Sequence, residues 1–115
     1  AGYDLVIGHG PHVAQGASFV DGMPVLWSLG NFAFGTEGRF DSDFPGRGLL
    51  ARTRFEDGVL AGIELRCLRT DNDDVQFQPE PCSPAEAAAL WERLGPPIEP
   101  SGELGLLPLV DGQEP

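Results

Sequence analysis

Apolar residues in this chain recur at alternate positions or in short runs, a pattern of strands more than of long helices. The run Tyr3-Asp4-Leu5-Val6-Ile7 is short, β-branched and closed by Gly8. It is apolar on both parities, which predicts a strand inside a sheet covered on both faces. Two apolar runs, residues 17–20 and 24–29, flank Asp21-Gly22, a dipeptide that supplies the positive φ angles of a tight hairpin. Residues 49–56 put Leu49, Ala51, Thr53 and Phe55 on one face and Leu50, Arg52, Arg54 and Glu56 on the other. After Asp57-Gly58, Val59, Ala61, Ile63, Leu65 and Cys67 continue the dry face, while Leu60, Glu64 and Arg66 share the wet one.

Between these hairpins, residues 30–48 read as a long loop bearing Phe32, Phe34, Phe40 and Phe44, expected to anchor it to the core. Asp71-Asn72-Asp73-Asp74 reads as a polar turn, lacking the glycine and terminal glutamate of a calcium loop, and residues 75–78 as a further short strand. Ser83-Pro84-Ala85-Glu86 opens the one good helix, with serine as N-cap, proline in the first turn and glutamate at the third position. Ala87, Ala88, Leu90, Trp91 and Leu94 form its apolar face, and Gly95-Pro96-Pro97 ends it. Residues 98–115 read as a Pro/Gly-rich acidic tail, with Leu104, Leu106, Leu107 and Leu109 as docking points. The expected fold class is α+β: a β-rich unit over 1–97 with two Asp-Gly hairpins and one C-terminal helix, followed by the tail 98–115.

Composition narrows the function classes. With 115 residues the chain holds one modest core at most, and 41% hydrophobic content excludes wholesale disorder. Eighteen acidic against seven basic residues give a net charge of −11, which repels phosphate backbones and argues against nucleic-acid binding. A phosphate ester remains possible as substrate, because a metal inverts the local field. No apolar run is long enough to cross a bilayer and no basic leader precedes one, while the opening at Ala1 directly before a strand suggests a cut made upstream. Cys67 and Cys82 are compatible with two free thiols or one disulfide.

Candidate chemistry concentrates in Gly8-His9-Gly10-Pro11-His12, which holds both histidines of the chain. Neutral imidazoles three positions apart on a loop can reach one metal or two adjacent ones, and Pro11 stiffens the turn between them. The competing role for both is hydrogen bonding across a strand end. Two histidines are also an incomplete site, since catalytic metals take at least three protein ligands. Asp4, Asp21, Asp41 and Asp43 are the nearby carboxylates, and no spacing singles one out. Ser28, in Trp-Ser-Leu-Gly, lacks the flanking glycines of a nucleophile elbow and reads as a strand residue. The absence of any lysine removes a P-loop. No catalytic residue is assigned.

The stretch from Asp4-Leu5-Val6-Ile7-Gly8-His9-Gly10-Pro11-His12-Val13 to Trp27-Ser28-Leu29-Gly30-Asn31-Phe32 resembles the CapA family of capsule and poly-γ-glutamate biosynthesis proteins, whose domain is related to calcineurin-like metallophosphoesterases. That family typically shows a Gly-His-His-Pro-His-Val run and, after a hairpin, Ser-Leu-Gly-Asn-Phe. Gly10 departs from it, standing where a second histidine is frequent. The resemblance implies the C-terminal portion of an αββα sandwich, with the superfamily's Asp-x-His, Gly-Asp-x-x-Asp and Asn-His elements lying upstream and not in this sequence. It further implies that His9 and His12 are metal ligands and that Asn31 contacts substrate or braces the histidine loop. The implied cofactor is a divalent transition metal (Mn, Fe or Zn), two in the complete domain. The implied partners are a phosphate ester or anionic polymer and the other members of a synthase complex, in the cell envelope or outside the cell. Two functions follow as expectations: capsule-polymer synthesis or phosphoester hydrolysis by the complete protein, or a non-catalytic scaffold whose histidines are structural. This stretch alone is not expected to be active.

Overall fold

A computed structural model describes residues 2–33 and 46–109. They form two sheets and one helix of useful length. The first sheet has three strands, β1 (Val6–Ile7), β2 (Ala17–Val20) and β3 (Met23–Leu26), in the order β1-β3-β2. β1 lies parallel to β3, and β2 antiparallel to it, with Val20 opposite Met23. Asp21 and Gly22 between them take φ of 50° and 81°, the left-handed region that matches the natural twist of a hairpin.

The second sheet is built on β4 (Arg47–Glu56) and β5 (Val59–Arg69), which run antiparallel along their whole lengths. Its far side is completed by β7 (Glu99–Ser101) and β8 (Leu104–Leu107), in the order β4-β5-β8-β7, while β6 (Glu80–Pro81) pairs with the end of β5. Residues 99–107, expected as part of a tail, are thus a strand pair with Leu107 buried against Ile63. Pro100 sits on the β7 edge, where a missing N–H is tolerated, and Gly102 in the turn between β7 and β8.

One contiguous core joins both sheets to the helix α2 (Pro84–Leu94). Ala14, Ala17 and Leu26 come from the first sheet; Leu49, Ile63, Leu65 and Leu107 from the second; Ala87, Leu90 and Trp91 from α2. The helix forms where the sequence signals it. Ser83 Oγ accepts from Glu86 N at 3.1 Å and Glu86 Oε1 accepts from Ser83 N at 2.7 Å, closing a reciprocal cap. Gly95 ends it, its N–H donating to Trp91 O. Trp91 is 1% exposed and donates through Nε1 to Glu103 O, so the indole is both buried and satisfied. Glu86 Oε2 also meets Arg47 at 2.9 Å and Arg69 at 3.6 Å, two residues that face each other across β4 and β5. A disulfide between Cys67 and Cys82 then fixes the start of α2 to β5, both sulfurs being buried. Cys67, expected as a small core hydrophobe, therefore sits in the core as half of a crosslink.

Four further expectations are corrected. β1 spans only Val6–Ile7, and Tyr3, Val6 and Ile7 are 74%, 38% and 42% exposed. Among the described residues this strand is paired on one side only, at the sheet edge, so its apolar run is not covered on both faces. In the second hairpin the ladder steps from Arg54–Gly62 to Phe55–Leu60, leaving Ala61 as an extra residue. That bulge turns Leu60 toward the core and leaves Val59 50% exposed, exchanging the faces assigned by strict alternation. Residues 75–78 are not a strand. A four-residue helix α1 (Asn72–Val75) precedes Gln76 and Phe77 at φ of 51° and 66°, and the buried Asn72 side chain accepts from Phe77 N at 2.8 Å. This local side-chain bond competes with a ladder and wins over a weak period of two. Phe32 is 59% exposed and is no anchor, while Phe34, Phe40, Phe44, Asp41 and Asp43 lie outside the described residues. No helix among the described residues is long and apolar enough to cross a membrane.

Two expected outcomes test this architecture. Replacing Cys67 and Cys82 together by alanine releases a loop of 15 residues and should lower unfolding free energy in urea by about 3 kcal/mol. An unchanged midpoint would mean that the crosslink carries no stability. Glu86 is held below its ordinary carboxyl pKa of 4.5, first by the Ser83 backbone N–H and then by Arg47, the Ser83 hydroxyl and Arg69, against the opposing effect of burial. A depressed folded pKa gives stability that is present above about 4.5 and is lost as pH falls through the folded value. Glu86→Gln should accordingly destabilise the protein at pH 7, and the gap to the unmutated protein should narrow below pH 4.5.

Candidate functional site

The site lies where β1 and β3 end together. Because β1 and β2 flank β3 on opposite sides, residues 8–16 must cross over the C-terminal end of β3. β3 itself continues beyond Leu26 as a ribbon that pairs on both sides. Gly8 N donates to Leu26 O and Leu29 N to Gly8 O, while Trp27 N donates to Gly16 O and Gln15 N to Ser28 O. Ala14 bridges Leu29. The histidine loop is therefore tied at both ends to the segment carrying Ser-Leu-Gly-Asn.

Side chains complete the tie. His12 Nδ1 lies 2.9 Å from Asn31 Oδ1. Oδ1 only accepts, so in this pair Nδ1 is the donor. Asn31 is 8% exposed and His12 half-buried, with φ of 69°, a left-handed conformation unusual for histidine. Ser28, fully buried, donates from Oγ to Val13 O at 2.8 Å and accepts from Gly30 N at 3.1 Å. His9 by contrast is exposed.

The approach of these segments leaves no room for side chains at two glycines. A Cβ on Gly8 would stand 2.4 Å from Trp27 O, and one on Gly30 2.9 Å from Ala14 N and 3.0 Å from Arg47 O. Gly30 also needs φ of 77°. These backbone contacts cannot swing aside, so the glycines of both motifs are packing requirements.

Structure brings His12 and Asn31 together. Asp4 and Asp21 line a separate cavity of about 600 Å³ with Glu56 and Asp57, at the tips of the two hairpins. Among the described residues no group of three or more His, Cys, Asp or Glu side chains is arranged to hold a metal. The donor set nevertheless fits part of such a site. Two imidazoles are suitable ligands, and the Asn31 bond to His12 is the outer-shell contact that commonly fixes the tautomer of a metal-binding ring. His9 and His12 would hold the ion, with further ligands required from elsewhere.

Ser28 is the residue that strand reasoning undervalued. Its sequence signal is a hydroxyl within the apolar run 24–29, where a buried hydroxyl needs partners. Phe32 and Trp27, at 59% and 50% exposure, add an aromatic rim on the same segment.

Gly8→Ala should cost more than an ordinary core substitution, on the order of 3 kcal/mol or more, because it meets backbone rather than a movable side chain. Thermal unfolding of this variant beside Gly58→Ala, where added volume meets nothing but φ is 80°, separates crowding from backbone strain. Equal losses in the two would refute the crowding account.

Residues 1–36 match a family model described as "Bacterial capsule synthesis protein PGA_cap". The matched stretch contains the whole histidine loop, the first hairpin and the Ser-Leu-Gly-Asn segment. No curated protein matches the chain.

Proposed function

We propose that the protein acts in bacterial capsule synthesis, as a CapA-like component with a metallophosphoesterase-type αββα domain and a metal-dependent site that handles phosphate or related esters of the polymer pathway. The observation that carries this reading is the hydrogen bond between His12 and Asn31. It joins the two motif segments that fall within the family match, and it orients an imidazole as an outer-shell contact orients a metal ligand.

His9 and His12 would hold a divalent Mn, Fe or Zn ion, which would supply Lewis-acid chemistry there. The chain's own part is narrower. His12 offers a donor whose tautomer is set by Asn31, His9 offers a second donor from an exposed position, and Asn31 braces the loop. The net charge of −11 disfavours an anionic substrate or poly-γ-glutamate chain without a cation between them.

A second reading has its own support. The described residues gather no third ligand, as suits a scaffold that organises a synthase complex through structural histidines. Elemental analysis of the purified full-length protein, with a His9→Ala/His12→Ala double variant beside it, separates the two. Bound transition metal that falls in the variant supports the hydrolase reading and directs a screen of phosphate esters. Equal, negligible metal in both proteins rejects it in favour of the scaffold.

A further inference from the structure

We infer that Ser28 is a positioning residue for His12, acting through the Val13 carbonyl and the Gly30 amide. Its metal-binding consequence rests on the reading proposed above; its conformational consequence does not.

His12 holds φ of 69°, a left-handed conformation uncommon for a residue with a Cβ, although histidine visits it more readily than most. Two groups hold it from opposite directions. Asn31 Oδ1 accepts from the ring at 2.9 Å, and Ser28 Oγ donates to Val13 O at 2.8 Å, the carbonyl one residue beyond His12. The same oxygen accepts from Gly30 N at 3.1 Å, the amide one residue before Asn31. One hydroxyl thereby links the backbone following His12 to the backbone preceding Asn31, the two ends of the ring's own hydrogen bond. Ser28 is 0% exposed and uses its donor and an acceptor position in full view of no solvent, so water cannot replace either bond cheaply. Loss of the hydroxyl releases the Val13–Ala14 peptide, and with it one restraint on the segment that holds His12 left-handed.

A matched control lies in the same protein. Thr70 is also 0% exposed, and its Oγ1 has no hydrogen-bond partner among the described residues. Thr70→Val removes a buried hydroxyl away from the histidine loop, whereas Ser28→Ala removes one that serves two peptides.

The test uses the purified full-length protein with selective 15N-histidine and 15N-glycine labelling, together with the Ser28→Ala and Thr70→Val variants. In the metal-free state, the HN–Hα coupling and amide shift of His12 should move in Ser28→Ala and stay fixed in Thr70→Val. Titration with Zn²⁺ or Mn²⁺ alone should then give about 10–100-fold weaker binding in Ser28→Ala, the usual effect of losing an outer-shell support. An unchanged His12 coupling in Ser28→Ala overturns the inference. If the unmutated protein takes up no metal, the hydrolase reading falls, while the metal-free coupling still decides the role of Ser28. Should Ser28→Ala fail to fold, hydrogen exchange in the unmutated protein decides instead. A protected Gly30 amide supports the inference, and an amide exchanging at the rate of exposed peptide overturns it.

Discussion

The peptide of Leu29 is shared by three segments, and the rest of the molecule is arranged around that sharing. Its N–H goes to Gly8 O, its carbonyl accepts Leu49 N at 2.7 Å, and its residue bridges Ala14. Leu29 is thus the point where the first sheet, the histidine loop and the second sheet meet through backbone alone. Backbone contact at this distance excludes side-chain volume. That is why a Cβ on Gly48 would stand 2.3 Å from Asn31 O, as Gly8 and Gly30 are crowded from their own sides. Two sheets that share a peptide cannot slide relative to each other without losing hydrogen bonds that are shielded from water.

What holds this junction from behind is the helix. Arg47 O lies against Gly30, and the Arg47 side chain reaches Glu86 in the first turn of α2. Arg69, opposite Arg47 on β5, reaches the same carboxylate, and the disulfide at Cys82 enters the helix one residue before its cap. Trp91, two turns further on, fills the core between α2 and the sheet. The histidine loop is therefore positioned by elements whose stability is set some distance away. A continuous set of contacts runs from α2 through Arg47 and Gly30 to Asn31 and His12. Placing functional side chains on a rigid strand end, and not on an unsupported loop, gives donors a defined geometry before any ligand arrives.

Much of this could be read from the residues, and the parts that could not have specific causes. The Ser83–Glu86 cap, the Gly95 stop and the apolar face of α2 are local signals, and the helix follows them because tertiary packing reinforces the same choice. The β-rich character came from alternation in residues 49–68, but alternation is blind to an inserted residue, so the Ala61 bulge and the exposure of Val59 were not visible. Residues 72–78 misled because Val75 and Phe77 mimic a period of two while Asn72 quietly offers its side chain to the backbone. Residues 98–107 looked like a tail because Pro100 and Gly102 suggest irregularity; edge pairing tolerates both. At the site, His9, His12 and Asn31 were legible as chemistry-bearing residue types in patterned turns. The Ser28 link was not, since it depends on two backbone partners, at positions 13 and 30, that no sequence pattern reports.

The two histidines are not equivalent, and the difference bears on what the loop can do. His12 is held by its ring and by the bond to Val13 O one residue beyond it, whereas His9 is exposed beside Gly10, whose φ is 127°. An L side chain rarely adopts that conformation. Gly10 is therefore part of how this loop is folded, and Gly10→His alone would strain the turn before it supplied a donor. The loop combines one preorganised imidazole with one adaptable one. Were an ion or partner to bind here as proposed, it would meet a fixed reference at His12 and recruit His9 at the cost of ordering it.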